Sequence, residues 1–585
     1  MNMTNARYWL ITGLLLAGLF AIQIVSALSE SATIDEPTHL AAGVSYWRTG
    51  DFRLNPEHPA LVKLLVSLPA VLAGAQLPTN DPSWEAADDF RFGSVFLYSN
   101  SLKPETLLFL GRLPIILLSV AFGLCLFVWT KRRFDSLAGL AVTAGYVFDP
   151  SVQAHGHLVT TDLAAALAFF GVIVVLDWYL KTPTIKRGWM LAIVFAVAQL
   201  VKFSLIVLWL IVPLVFLLRW WYDRKRQAPA RWSAKKLFGL IGQLVLTTLV
   251  LSFISYGGEL KKPIDDPNIA TLYQKRAEIA AAPDFNKLSA FDQSIINLTD
   301  PQSESGQRIQ TSLGRIRIPA YSYLSGLVAV IGHNHGGHSA YLIGEQSSSG
   351  WWYYFPVAWL TKTPLGILVL ILIGAVWWLR DFVIRNGRRL NSFDSILLTA
   401  PVLVYLFFAL ISNLNLGIRH LLPILPFGYG LVAFVLVKAW QGRSKALRWA
   451  AGGLFALGLL APLRNLPHPI TYYSELIGGT QKSYKFVMDS NLDWGQSIAE
   501  ASRYIKQNSI QLSGATLFYP DDLGYYGLPK QSVPTDADVS QKGIQPGNYL
   551  ISVQLLKGAG REYQWLEARK PERMFSSALY LYRVE

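Results

Sequence analysis

Residues 131–187 read KRRFDSLAGLAVTAGYVFDPSVQAHGHLVTTDLAAALAFFGVIVVLDWYLKTPTIKR. Basic groups stand at both ends, Lys131, Arg132 and Arg133 in front and Lys181, Lys186 and Arg187 behind, and the positive-inside rule assigns both to the cytoplasmic side of a membrane. The chain between them must then cross an even number of times. Asp149-Pro150 through His157 is polar and turn-forming and supplies the reversal. Two spans follow, near 136–152 and 161–180, with Asp162 at the non-cytoplasmic start of the second.

The same parity splits the next apolar stretch. Residues 188–219 would form a helix of roughly 48 Å if continuous, long for one crossing, and both flanks are basic. The expected turn falls near Lys202. Arg7, Arg219 to Lys236, Arg380 to Arg389 and Lys438 to Arg448 complete the set of cytoplasmic loops. About eleven spans result, near 8–28, 105–130, 136–152, 161–180, 188–202, 203–219, 236–256, 353–379, 394–412, 419–440 and 447–463, with the N-terminus inside. Short helices at about 59–75 and 317–331 read as interfacial.

Composition agrees with a polytopic α-helical membrane protein. The chain has 585 residues, 52% hydrophobic and 15% charged, with mean hydropathy +0.32. The net charge of +14 sits in the short basic loops and so marks topology; nucleic acid is not an expected partner. Cys125 is the one cysteine, which excludes intramolecular disulfides. The segment after Arg7 lacks a small-residue cleavage site and reads as a retained span. Residues 1–463 form the expected transmembrane domain, with outer loops 29–104 and 257–352. Residues 464–585 carry no apolar run long enough to cross. A helix near 495–507 and strand-like runs at Ala515–Tyr519, Tyr549–Leu555 and Ala578–Val584 predict a small extracytoplasmic α/β domain.

Ionisable residues at the outer ends of spans are the candidates for chemistry, because burying them there is costly. The first outer loop carries Asp35-Glu36-Pro37-Thr38-His39 and then His58-Pro59-Ala60-Leu61. Asp162 opens a span, where capping of the helix dipole is the alternative. Lys202 and Arg419-His420 lie at outer turns, where snorkelling or ordinary headgroup contact is the alternative. The run His333-Asn334-His335-Gly336-Gly337-His338 could bind a metal, contact an acceptor or phosphate, or be an unspecialised polar loop; its spacing is not a helical ligand pair and its glycines predict a loop. Trp351-Trp352-Tyr353-Tyr354 fits an aromatic belt or a sugar platform.

Asp35-Glu36 after the first span, His58-Pro59-Ala60-Leu61, Asp162 after a Gly-His pair, and Lys202-Phe203-Ser204 resemble the bacterial branch of the protein O-mannosyltransferase superfamily. So do Tyr341-Leu342-Ile343-Gly344-Glu345, Gly350-Trp351-Trp352-Tyr353-Tyr354, Lys362-Thr363-Pro364-Leu365, Gly417-Ile418-Arg419-His420 and Asn491-Leu492-Asp493-Trp494-Gly495-Gln496. The lipid A aminoarabinose transferases are relatives. The resemblance covers most of the chain and implies a GT-C fold in a bacterial inner membrane. It implies an inverting, metal-independent transfer of a hexose or pentose from a polyprenyl-phosphate carrier to a hydroxyl on a protein, lipid or glycan, on the extracytoplasmic face. Asp35 is then the catalytic carboxylate, with Glu36 beside it and Asp162 as a second acid. Lys202, Arg419 and His58 take the donor phosphate, and His338, Glu345, Trp351, Tyr354 and His420 are possible acceptor or sugar contacts. No cofactor is expected beyond the lipid-linked sugar, and membrane lipids are the surroundings. The aminoarabinose branch has Lys-Pro-Pro-Leu where this chain has His58-Pro59-Ala60-Leu61. A lipid-linked sugar transporter or flippase, and a membrane assembly subunit, are the rival readings; the first predicts inverted repeats and polar groups near mid-membrane.

Overall fold

The computed structural model describes residues 4–227, 233–266, 293, 300, 303–384, 392–519, 522–558 and 560–585. The middle of the expected 257–352 loop and part of two basic loops lie outside these. The protein is mostly helical. Among the described residues, six helices are long and apolar enough to cross a membrane: Asn5–Ser29, Pro104–Arg133, Asp162–Lys181, Phe203–Lys225 with its opening 3-10 turn, Ala234–Ser255, and Lys445–Asn465 with its closing one. Ser136–Phe148, Ile185–Val201, Leu365–Ile384, Ser392–Leu410 and Leu425–Gln441 fall where the remaining spans were expected. The first of these, at about 20 Å, is short for a full crossing.

Three readings are corrected. The expected span 353–379 is two helices, Tyr354–Lys362 and Leu365–Ile384, because Pro364 lacks an N–H and disfavours helix at the residue before it. The histidine run is a loop only at Gly337 and His338. The helix Tyr321–Gly336 carries His333 and His335 and ends at Gly337, whose φ of 78° breaks the spiral. The strand expected at Tyr549–Leu555 stops at Ser552, and Val553–Lys557 turns helical.

Among the helices that were not expected, one lies at the site. Asp35–Thr49 follows the first span directly, with two acids in its first turn, Arg48 in its last and Gly50 at φ 69° closing it. Two glycines let its neighbours come close. A Cβ on Gly43 would lie 2.2 Å from the Lys63 carbonyl, and one on Gly93 would lie 2.7 Å from the Thr38 nitrogen. The helices Ala60–Leu72 and Asp89–Tyr98 therefore hold Asp35–Thr49 from two sides.

The strands are β1 (Leu260–Lys261), β2 (Ile318–Pro319), β3 (Ala340–Leu342), β4 (Glu345–Ser347), β5 (Leu512–Thr516), β6 (Gly547–Ser552), β7 (Arg573–Phe575) and β8 (Leu579–Val584). The last four form one sheet in the order β5-β6-β8-β7, with β5 parallel to β6 and the other pairs antiparallel. The helix Ile498–Gln507 packs on it through Ile498, Ala501 and Ile505. The boundary expected at 463/464 is bridged by hydrogen bonds. Ser31 N–H donates to the Gln496 carbonyl (3.1 Å) and Ile34 N–H to that of Trp494 (3.2 Å).

Candidate active site

Four of the predicted residues meet. The Arg419 guanidinium donates to Asp35 Oδ2 at 2.9 Å and stands 3.7 Å from Asp162 Oδ2, while the Lys202 ammonium binds Asp162 Oδ1. The result is a row of alternating charge: Asp35, Arg419, Asp162, Lys202. Each comes from a different element. Asp35 starts its helix, Asp162 starts another, Lys202 caps Ile185–Val201 in extended conformation, and Arg419 lies in the 3-10 turn Ile418–Leu421. The side chains of Asp162 and Lys202 are 2% and 10% exposed, and that of Asp35 is 22%. Asp35 is thus the carboxylate open to a second reactant.

The Arg419 turn is held from below. Gly417 adopts φ 109°, and a Cβ there would lie 2.6 Å from Ser490 Oγ. Asn491 is fully buried: its Oδ1 accepts from Ile418 N–H (2.9 Å), and its Nδ2 donates to Tyr354 Oη and the Met488 carbonyl. The Lys362 ammonium donates to the carbonyls of Ile470, Tyr472 and Asn491. All three of its protons are used, so this lysine fixes the 470–491 segment and has none left for a ligand. Arg419 stacks over Trp494 at 4.3 Å, a geometry that suits a guanidinium. Burial opposes its charge, but Asp35 and Asp162 raise its pKa further.

Imidazoles surround the row. His39 and His58 stack at 5.0 Å, and His155 packs edge-on to Trp494 at 6.0 Å. The Nδ1 atoms of His39, His58 and His155 are buried without a partner. Burial holds the first at about 4 and the last at about 3, and it takes His58 and His420 well below the usual value, with Lys202 and Arg419 adding to the effect on His420. These rings are neutral at physiological pH, so they offer hydrogen bonds to a bound group and not fixed charge. His58 is therefore uncharged, unlike the lysine set against it in the aminoarabinose branch.

Glu36 lies apart from the row. The Arg112 guanidinium grips it at 2.8 and 2.6 Å, and it also accepts from the N–H groups of Thr33 and Val159 (both 2.9 Å). Arg112 spends its other protons on the carbonyls of Ala27, Glu30 and Ser31. Those are the unpaired carbonyls at the end of the first span and just beyond it. Both side chains are 0% exposed. Glu36 can only shape the loop that presents Asp35.

The remaining predicted contacts are not members of the charged row, although His420 lies close to Lys202 and Arg419. Tyr354 is buried against Asn491. The Trp351 N–H is held by Asn415. Glu345 is exposed on β4. His420 stacks on Phe355 at 6.2 Å. His338 is 3.3 Å from His333, which binds Glu57 at 3.0 Å. No cluster of three or more metal-ligating side chains suited to a metal occurs among the described residues.

Besides His39, His155 and Trp494, two further residues near the row were not predicted as site residues. Tyr519 donates to Asp489 Oδ1 at 3.1 Å, and Asp489 adopts φ 58°. Burial raises the Asp489 carboxyl, while Arg419 pulls it down. Asp489 was unremarkable in a polar stretch; its signal is the positive φ, which no single sequence displays.

A second network joins this region to the C-terminal part. Glu30 accepts from His157 (2.8 Å) and pairs with His468 (3.1 Å), whose other nitrogen is 3.4 Å from Glu500. Burial would raise Glu30, but the two histidines lower it from 4.5 to about 2; burial would lower His468, but Glu30 and Glu500 raise it above 6.5. The Glu30 contribution to stability is thus present above pH 4.5 and lost toward pH 2. The His468 contribution is complete below pH 6.5 and lost as pH rises through the raised value. The melting-temperature gap between the protein and its His468→Gln variant is expected to narrow between pH 6 and pH 9; a constant gap would contradict this.

No protein-family model matches the chain, and no curated protein does. Among solved structures it is similar to the archaeal oligosaccharyltransferase AglB from Archaeoglobus fulgidus in complex with an inhibitory peptide and a dolichol-phosphate (10% identity, covering 94% of this chain and 70% of that one, TM-score 0.42). It is also similar to ArnT from Cupriavidus metallidurans bound to undecaprenyl phosphate (13%, 98% and 97%, TM-score 0.32) and to the arabinosyltransferase EmbB from Mycobacterium smegmatis (10%, 78% and 44%, TM-score 0.29). At such scores and identities these likenesses carry no weight for the chemistry, which is read from the site itself.

Proposed function

We propose that this chain is a GT-C glycosyltransferase of a bacterial inner membrane, working on the extracytoplasmic face with a polyprenyl-phosphate sugar as donor. The observation that carries the reading is the row Asp35, Arg419, Asp162, Lys202, in which one carboxylate is open and two cations are held ready beside it. A phosphate that enters competes with the carboxylates for Arg419 and Lys202, and charge-assisted contacts to both cations would hold it. Asp35, released from part of its pairing, accepts the proton of an acceptor hydroxyl. The hydroxyl oxygen forms a bond to the anomeric carbon as the bond from that carbon to the phosphate oxygen breaks. The electron pair leaves with the polyprenyl phosphate, whose charge the two cations stabilise. Attack opposite the leaving group inverts the anomeric centre. Neutral His58 and His39 supply hydrogen bonds at the phosphate end, and Asp162 keeps the two cations in place.

Lys202→Ala tests the donor half of the reading. Loss of a charged contact to phosphate is expected to weaken binding of undecaprenyl phosphate by about tenfold or more, in line with about 1.5–3 kcal/mol for such bonds. Binding would be measured by thermophoresis or calorimetry on the purified protein. Undiminished affinity would remove Lys202 from the phosphate site.

A further inference from the structure

A cleft of about 460 Å³ shares no lining residue with the row; it is lined by Tyr341, Tyr484, Lys485, Lys557, Arg561 and Glu567 among others. Its size is that of a small-molecule site. Its polarity is one-sided. Lys557 is paired with Glu567 at 2.9 Å and lies 5.5 Å from the Tyr484 ring, its side chain only 15% exposed. Lys485 and Arg561 are exposed and have no carboxylate partner among the described residues. Two free cations, one tethered cation and two tyrosine rings thus face one space.

The cleft is also built with strain. The β3–β4 turn is Ile343-Gly344, with φ 49° and 88°, and a β-branched residue at positive φ is costly. Asn-Gly would serve a plain turn of this kind. The hairpin is pinned where the cleft floor begins, since Ile343 N–H donates to the Phe486 carbonyl at 2.8 Å and Leu342 bridges Val487. From the 3-10 turn Thr480–Lys485, which brings Tyr484 and Lys485 to the cleft, the chain runs on to the 3-10 turn Asp489–Asn491 beneath Arg419. One short stretch of chain connects the cleft to the reacting centre.

We infer that this cleft is a binding subsite for an anionic carbohydrate, a sugar of the acceptor bearing a carboxylate or phosphate, which docks beside the Tyr341 and Tyr484 rings and pairs with Lys485 and Arg561. Flat rings suit the apolar face of a pyranose, and a guanidinium and an ammonium suit its acid. The inference rests on the glycosyltransferase reading for the word acceptor and on the cleft alone for the ligand class.

The test uses the full chain in nanodiscs with hexaglucuronate as probe and a neutral glucose hexamer as control. Hexaglucuronate is expected to bind at least tenfold more tightly than the neutral hexamer at low salt and to weaken as salt rises. Lys485→Ala/Arg561→Ala is expected to cost tenfold or more in hexaglucuronate affinity while leaving undecaprenyl phosphate binding unchanged. Glu567→Gln, which frees Lys557, is expected to tighten hexaglucuronate binding, an outcome that misfolding cannot produce. Equal binding of the two hexamers, no binding of either, or an unaltered affinity in both variants would overturn the subsite. Failure of undecaprenyl phosphate to bind the unaltered protein would instead overturn the glycosyltransferase reading, so the two failures are distinct.

Discussion

Asp35→Asn is expected to lower glycosyl transfer by about three orders of magnitude, within the range for loss of a positioned base. The amide fits the same space and can still accept a hydrogen bond from Arg419, whose second carboxylate, Asp162, is untouched. Folding and binding of undecaprenyl phosphate should therefore persist. The measurement is single-turnover transfer with saturating donor, so that the chemical step is read and not binding. If the variant transfers at the unaltered rate, Asp35 is not the base, and its 22% exposed side chain has another purpose. If transfer and donor binding fall together, Asp35 acts through Arg419 as an organiser of the phosphate site.

The largest effect on stability is expected at Arg112. In Arg112→Met, Glu36 keeps its two backbone donors but loses its counter-charge, and the carbonyls of Ala27, Glu30 and Ser31 lose theirs. Breaking one side of a buried pair costs about 3–5 kcal/mol. A fall in melting temperature is expected, with much of the protein lost on solubilisation. Glu36→Gln should cost less, since an amide can still bind the guanidinium. The double variant Arg112→Met/Glu36→Met should recover part of the loss, because no charge is then left unpaired. Equal melting temperatures for the protein and Arg112→Met would show that the network is not structural.

The part of the site that was legible was legible for a reason. Asp162, Lys202 and Arg419 are isolated charges beside apolar runs, and parity of the basic loops put them at one end. Asp35 and Glu36 show where adjacency misleads. On a helix, neighbours differ by about 100° in direction, so Asp35 faces the cations while Glu36 turns inward to Arg112. Arg112 was not singled out, although a charge inside the apolar run from Pro104 to Arg133 is a signal that intramembrane burial makes informative. Asp489 and Tyr519 were not legible, because they sit in a polar region where acids and tyrosines are common. The end of the Tyr321–Gly336 helix was hidden by composition: glycine weakens a helix by about 1 kcal/mol without forbidding it.

Ser31 and Ile34 take their hydrogen-bond acceptors from Gln496 and Trp494, and Trp494 also lies under Arg419. The residues that flank Asp35 are thus seated by residues far along the chain. While the chain is being made and threaded into the bilayer, its opening acid has no fixed position and its arginine no aromatic seat. Without residues 494–496, Ser31 and Ile34 lack their acceptors and Arg419 its aromatic seat.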